Sequence, residues 1–251
     1  MRKTFALTLL LLFLLAPAFG QKKRPTTASA ARTRAPEIGK SAVVIDVRLS
    51  VLRIKPSLFS EAVHRMQRGR TVRIQDVKEA DGVKFYKVIA PPQNYGWVQA
   101  EALFFSSRQE DEERLAKLVL ASTGFDKIEI AGQFLKLYPK ASLRPGILLL
   151  YGDIIEEAAL KLTKDANSRL KRAEMAASSA PLHSYFLNFN MLDRYRKEGI
   201  VFLFDTEARA FHYDGAAWME ILKSYPRSDE AALAKKRLEN LESKIPGATS
   251  N

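Results

Sequence analysis

"FYKVIAPPQNYGWVQAEAL", residues 85–103, sets an alternating strand, a proline break and a Gly-Trp-Val segment side by side. Successive strand side chains point to opposite faces, so Phe85 and Tyr86 part company and at least one ring must enter a core. Trp97 and Val98 divide in the same way. The texture extends upstream through "SAVVIDVRLSVLRI" (41–54) and "TVRIQDV" (71–77), both rich in β-branched residues. Turn signals separate the runs: "QRG" (67–69), "EADGV" (79–83) and "PPQN" (91–94). Roughly four or five short strands between residues 41 and 106 describe a small all-β barrel.

Five elements occur in order within this segment. Leu52-Arg53 leads to Pro56-Ser57, Gly69 precedes "TVRI", and "FYKV" follows at 85–88. Gly96-Trp97-Val98 and then Leu103 complete the set. Together they resemble the bacterial SH3 domain family over residues 45–105. The family has a Leu-Arg strand entering a Pro-Ser loop, and a Trp-Tyr-Lys-Val strand where this chain has Phe85 first. Lys55 stands where glycine is common before the proline. Gly96 is expected to allow a tight turn into the last strand. The resemblance implies an SH3-like barrel that binds peptidoglycan or a wall peptide through Arg53, Phe85, Tyr95 and Trp97.

From Ser107 the pattern becomes helical. "RQEDEERLAKLVLAS" (108–122) opens with acidic residues and places Leu115, Leu118 and Val119 at helical spacing, with Gly124 as its stop. "FDKIEIAGQFLKLYPKA" (125–141) is ended by Pro139. Residues 145–176 read as one long amphipathic helix, broken by "SSAP". "QFLKLYPKAS" (133–142) and "EILKSYPRSD" (220–229) share a Leu-Lys-x-Tyr-Pro ending. This resembles the helix-end signature of tetratricopeptide-like repeats in bacterial envelope proteins. The copies lie 87 residues apart, which is no multiple of the usual repeat of about 34. A degenerate helical domain over 107–246, with a concave surface for a protein partner, is therefore expected, followed by a disordered tail at 247–251. Between the copies, "GIVFLFDTEARAFHYDG" (199–215) suggests an inserted β-hairpin, the alternative being a continuous helix. Trp218 stands at helical spacing from Ile221 and Leu222, a core pattern.

The first twenty residues read as a secretory signal peptide: Arg2 and Lys3, an apolar run from Phe5 to Leu15, then "APAFG". Cleavage near Gly20 and export to the periplasm or cell envelope follow, with no integral span afterwards; an uncleaved anchor is the alternative. The chain has no cysteine, so lipid anchoring, disulfides and thiolate zinc sites are excluded. Residues 21–40 hold six basic side chains against one acidic and little to bury, and are expected to be a mobile basic linker. The net charge of +12 is concentrated in the leader, this linker and residues 41–106, whereas 107–251 is nearly neutral. A nucleic-acid protein would carry its charge on a folded reading surface, so no nucleic-acid partner is expected. Anionic wall polymers suit a basic tether better.

No residue set for catalysis stands out. Phosphate loops, His-Glu-x-x-His and Gly-x-Ser-x-Gly are all missing from the sequence. His64, His183 and His212 are isolated, which leaves no metal-ligand spacing. Asp111, Glu112, Glu113, Glu156 and Glu157 fall where helices carry charge on a wet face, and Asp214 sits where a helix N-cap belongs. The chain therefore reads as a non-catalytic α+β protein of the envelope, with no cofactor and no metal. The competing readings are a wall-modifying enzyme with a divergent helical catalytic domain, and a pair of protein–protein modules without wall contact.

Overall fold

The β-branched, alternating residues after Ser41 fold as strands in the computed structural model, which describes residues 35–91 and 94–248. The segment expected as a signal peptide, residues 21–34 of the expected linker and residues 249–251 of the expected tail lie outside the described residues. Seven strands form one antiparallel sheet: β1 (Ser41–Val44), β2 (Val51–Arg53), β3 (Ala62–Arg65), β4 (Thr71–Ala80), β5 (Val83–Ala90), β6 (Asn94–Gln99) and β7 (Leu103–Phe104). Their spatial order is β3-β2-β6-β5-β4-β1-β7. No ladder joins β3 to β7, so the sheet is open and the expected barrel is corrected to a mixed α/β arrangement.

The reason lies in β1 and β7. Alternation sends Ala42, Val44, Leu103 and Phe105 into the sheet's own core, with Leu52, Tyr86, Val88 and Val98. It sends Val43, Ile45 and Phe104 the other way, against Leu115, Val119, Ile130, Phe134 and Tyr138 of the helices. Strands buried on both faces read as continuous apolar runs, as "AVVI" and "LFF" do here. Helices thus cover the face of β1 and β7 that points away from the sheet's own core.

Turn chemistry follows the sequence. Asp81 and Gly82, both at positive φ, join β4 to β5 between the paired residues Ala80 and Val83. Gly96 does not make a turn. It lies within β6, where an added Cβ would sit 2.7 Å from the Arg53 carbonyl oxygen and from Leu52 Cγ, so glycine is needed for close approach of β2. Residues 35–40, expected as linker, form a turn in which Glu37 accepts from Lys84 Nζ at 2.7 Å and Tyr86 Oη at 3.1 Å.

Eight α-helices follow among the described residues: α1 (Gln109–Ala121), α2 (Gly124–Leu137), α3 (Arg144–Arg169), α4 (Arg172–Ala177), α5 (Leu182–Leu187), α6 (Asp193–Lys197), α7 (Ala216–Ser224) and α8 (Glu230–Lys244). The long helix expected to Ala176 stops at Arg169, because Leu170 adopts extended backbone and packs against the helical core. Gly124 opens α2 at φ +60° as well as separating it from α1. Both Leu-Lys-x-Tyr-Pro copies make the same helix end. Tyr138 and Tyr225 donate their N–H to Phe134 and Ile221, and their carbonyls accept from Ala141 and Ser228.

Residues 199–215 contain the hairpin: β8 (Phe202–Asp205) pairs antiparallel with β9 (Ala210–Tyr213). Helix α3 serves as the missing neighbour along the outer edge of β9. Glu156 Oε2 accepts the Tyr213 N–H, Thr163 Oγ1 accepts the Phe211 N–H, and Asn167 Nδ2 donates to the Arg209 carbonyl. Phe186, Phe202 and Phe211 then join Ile155, Leu162 and Trp218 in the helical core.

Two carboxylates at this edge are held in opposite directions. Burial raises the Glu156 pKa, but bonds from His212 and the Tyr213 N–H outweigh it and hold the group below its ordinary value. Burial holds Asp214 above its ordinary value, although the Ala216 N–H pulls it down. Glu156 therefore adds stability above the ordinary carboxylate range, and this is lost as pH falls toward its lowered folded value. Ionised Asp214 costs stability, in full once pH exceeds its raised value. Asp214→Asn, which keeps an acceptor for Ala216, is expected to raise the urea midpoint at about pH 7 and leave it unchanged near pH 3. Glu156→Gln should lower the midpoint at neutral pH. A pH-independent effect of either change would contradict this reading.

Candidate functional site

The face of the sheet turned away from its core holds the residues singled out in the sequence. Core-facing Leu52, Tyr86, Val88 and Val98 fix the register, so Arg53, Phe85, Tyr95 and Trp97 share the opposite face of β2, β5 and β6. Arg53 is paired with Trp97 across β2 and β6, and Trp97 with Lys87 across β6 and β5. Tyr95 lies two residues along the strand from Trp97, and Phe85 is paired with Gln99.

Burial separates their roles. Phe85 is fully buried and Trp97 is 7% exposed, with the Lys78 ammonium 5.5 Å from its ring centroid. Neither offers a free ring face to a ligand of any size. Tyr95 is 57% exposed, and Arg53 Nη1 donates to the Ser60 carbonyl at 2.6 Å, bracing the β2–β3 loop. That loop is also tied to the β4–β5 turn, where Asp81 accepts from Ser57 Oγ at 2.7 Å and the Leu58 N–H at 2.8 Å.

The loop supplies residues that the sequence reading missed. Among the described residues of the sheet, the large apolar side chains left exposed are Ile54, Phe59, Val63 and Tyr95. Three of these belong to the β2–β3 arm and the fourth to β6, which pairs with β2. Phe59 is 90% exposed on a loop whose backbone is held by Ser57 and Asp81. A phenylalanine displayed on a braced loop is an informative exposure, whereas single exposed leucines on helices are ordinary. Lys55, Lys78 and Lys87 form no ion pair with a carboxylate among the described residues, although Asp76 stands opposite Lys87 in the β4–β5 register. The arrangement can stack rings on apolar faces of a ligand while attracting anionic groups.

Other candidates are employed in the fold. His212, isolated in the sequence, lies with Nδ1 2.8 Å from Glu156 Oε1. Glu156 and Asp214 each take a backbone N–H, and Glu157 pairs with Lys161 on the surface. The N-cap expected at Asp214 is corrected: Gly215, at φ +81°, is the N-cap of α7, and Asp214 stands one residue ahead of it and accepts the Ala216 N–H. Asp111 is not on a wet face: it is buried and accepts from the Phe105 N–H and Arg108 Nε, both at 2.9 Å. No group of three or more His, Cys, Asp or Glu side chains placed to hold a metal occurs among the described residues. No helix among them is long and apolar enough to cross a membrane. No protein-family model, curated protein or solved structure gives a significant match to this chain.

Proposed function

We propose that the protein is an exported, non-catalytic binding protein of the cell envelope. Its sheet acts as a bacterial SH3-like module, in open form, that holds peptidoglycan or a wall peptide. Its helical part, with two tetratricopeptide-like helix ends, docks a protein partner. The observation that carries the first role is the exposure of Phe59 on the braced β2–β3 arm and of Tyr95 on β6, the strand that Arg53 of β2 pairs with. The second role is supported by the identical hydrogen bonding at Tyr138 and Tyr225.

Co-sedimentation with purified peptidoglycan tests the reading. Exposed charges are screened within about 8 Å at physiological ionic strength, so purely Coulombic association should disappear at about 0.5 M salt. Contacts from stacked rings should persist. The chain from Ala35 is expected to retain part of its binding at high salt, and Tyr95→Ala or Phe59→Ala should weaken that part about three- to tenfold. Trp97→Ala is a poor probe because the ring is buried. Binding that vanishes at moderate salt, or that requires residues 21–34, would make the sheet a protein-interaction module without wall contact.

A further inference from the structure

The break at Leu170 leaves a cavity of about 240 Å³ between the end of α3, α4, α5 and the turn of the hairpin. Leu170, Met175, Leu182 and Phe186 give it an apolar wall. Arg172 and Arg209 also line it, and no carboxylate does. Most arginines near the helices are paired; Arg194 stacks on Phe125 and Tyr195, and Arg227, away from this cavity, is unpaired among the described residues. Arg108, Arg114, Arg144, Arg196 and Arg237 each face a carboxylate, whereas Arg172 and Arg209 have no side-chain hydrogen bond or ion pair among the described residues. Arg209 is held at φ +52°, a backbone conformation uncommon for a residue with a Cβ, and Asn167 Nδ2 fixes it by donating to its carbonyl at 3.0 Å. The hairpin turn behind it is fixed in turn by Asp205, which accepts the N–H groups of Glu207 and Ala208. The mouth is thus built from ordered backbone.

Arg172 is exposed and Arg209 half-buried, so both guanidinium groups are free at the mouth of an apolar wall, and a ligand that suits both would bring an anionic head and an apolar body. Guanidinium forks match carboxylate and phosphate oxygens in geometry and charge. The apolar wall matches an alkyl chain or a ring. The volume lies just under the range of roughly 300 Å³ and upward typical of drug-sized ligands, so the body must be small. We propose that this cavity binds a small anionic amphiphile, a carboxylate or phosphate on one short apolar chain. The site is independent of the sheet face.

Decanoate, decyl phosphate and uncharged decanol would be titrated into the chain from Ala35 by isothermal titration calorimetry, with amide NMR shifts to locate the site. Saturable binding of decanoate or decyl phosphate is expected, about tenfold or more tighter than decanol, with shifts centred on Met175 and Phe186. Which of the two anions binds more tightly identifies the head group. Arg172→Gln with Arg209→Gln should remove the preference over decanol without changing the thermal midpoint, since neither guanidinium has a structural partner. Ala180→Phe, which places bulk at the lining, should weaken all three ligands. Equal affinity for decanol and decanoate, an undiminished preference in the double variant, or shifts confined to other regions would overturn the proposal.

Discussion

Gly152→Ala is expected to destabilise the protein by about 2–3 kcal/mol, the cost of forcing a methyl group into a filled core. On an exposed helix the same change stabilises by roughly 0.5–1 kcal/mol, because alanine loses less backbone entropy. Here the sign reverses for a steric reason. A Cβ on Gly152 would stand 2.3 Å from Trp218 Nε1 and 2.6 Å from Cε2, so the indole of α7 lies directly on the α3 backbone. Trp218 is almost fully buried, and Tyr213 meets it edge-on with ring centroids 5.4 Å apart, which blocks an easy retreat. Urea melts would measure the change. Trp218→Phe in the Gly152→Ala background should recover part of the loss, because the smaller ring frees the contested space. A neutral or stabilising Gly152→Ala would show that α3 and α7 are not this close.

Asp111→Ala should cost about 2–3 kcal/mol, chiefly for leaving the Phe105 N–H without its charged acceptor, with the pairs to two arginines about a third exposed adding little. The carboxylate accepts the Phe105 N–H and Arg108 Nε, both at 2.9 Å, and lies 3.3 Å from Arg114; its removal leaves the Phe105 N–H without this acceptor, while the two arginines keep water or the Leu103 carbonyl. Its position makes it a joint between the last strand and the first helix. Arg114 also donates to the Leu103 carbonyl at 2.5 Å, and Tyr138 Oη to the Phe105 carbonyl at 3.1 Å. Arg68 adds a further tie, donating to the Ile45 carbonyl and pairing with Asp126 and Glu129. The chain has two tryptophans, Trp97 in β6 and Trp218 in α7, so single-tryptophan variants report on each half separately. Both signals should melt together in the parent chain and shift together in Asp111→Ala. A shift seen by Trp97 alone would mean that the sheet unfolds independently of the helices.

Much of the fold was legible because local chemistry decided it. Asp81-Gly82 marked a two-residue hairpin, Pro139 and Pro226 followed the two tyrosine helix ends, and alternation at Phe202–Asp205 and Ala210–Tyr213 marked β8 and β9. The sheet's openness was harder to see, since strand pairing at a closing edge is long-range. One local sign existed: "AVVI" and "LFF" are apolar at successive positions, which a strand with one wet face does not need. The break at Leu170 had no such sign, because Ala166, Leu170 and Arg172–Ala176 all suit a helix and only packing against the core turns the chain. Asp111 and Glu156 looked like surface charge for the same reason. Their partners are Phe105, just past the end of β7, and Tyr213 of β9, neither of which a helical periodicity can reveal. At the proposed binding face, Tyr95 was readable from the strand register, whereas Phe59 needed the braced loop around Arg53 and Asp81 to make its exposure meaningful.

Amide and aromatic NMR shifts of the chain from Ala35, titrated with a soluble peptidoglycan fragment at about 0.5 M salt, test the proposed wall contact most directly, because exposed charge attraction is then screened to within a few ångströms. Saturable shifts centred on Arg53–Glu61, Val63 and Tyr95, with the buried rings of Phe85 and Trp97 only secondarily affected, are the predicted result. Saturable shifts confined to the helices, or none at all, would contradict a wall-binding face on the sheet.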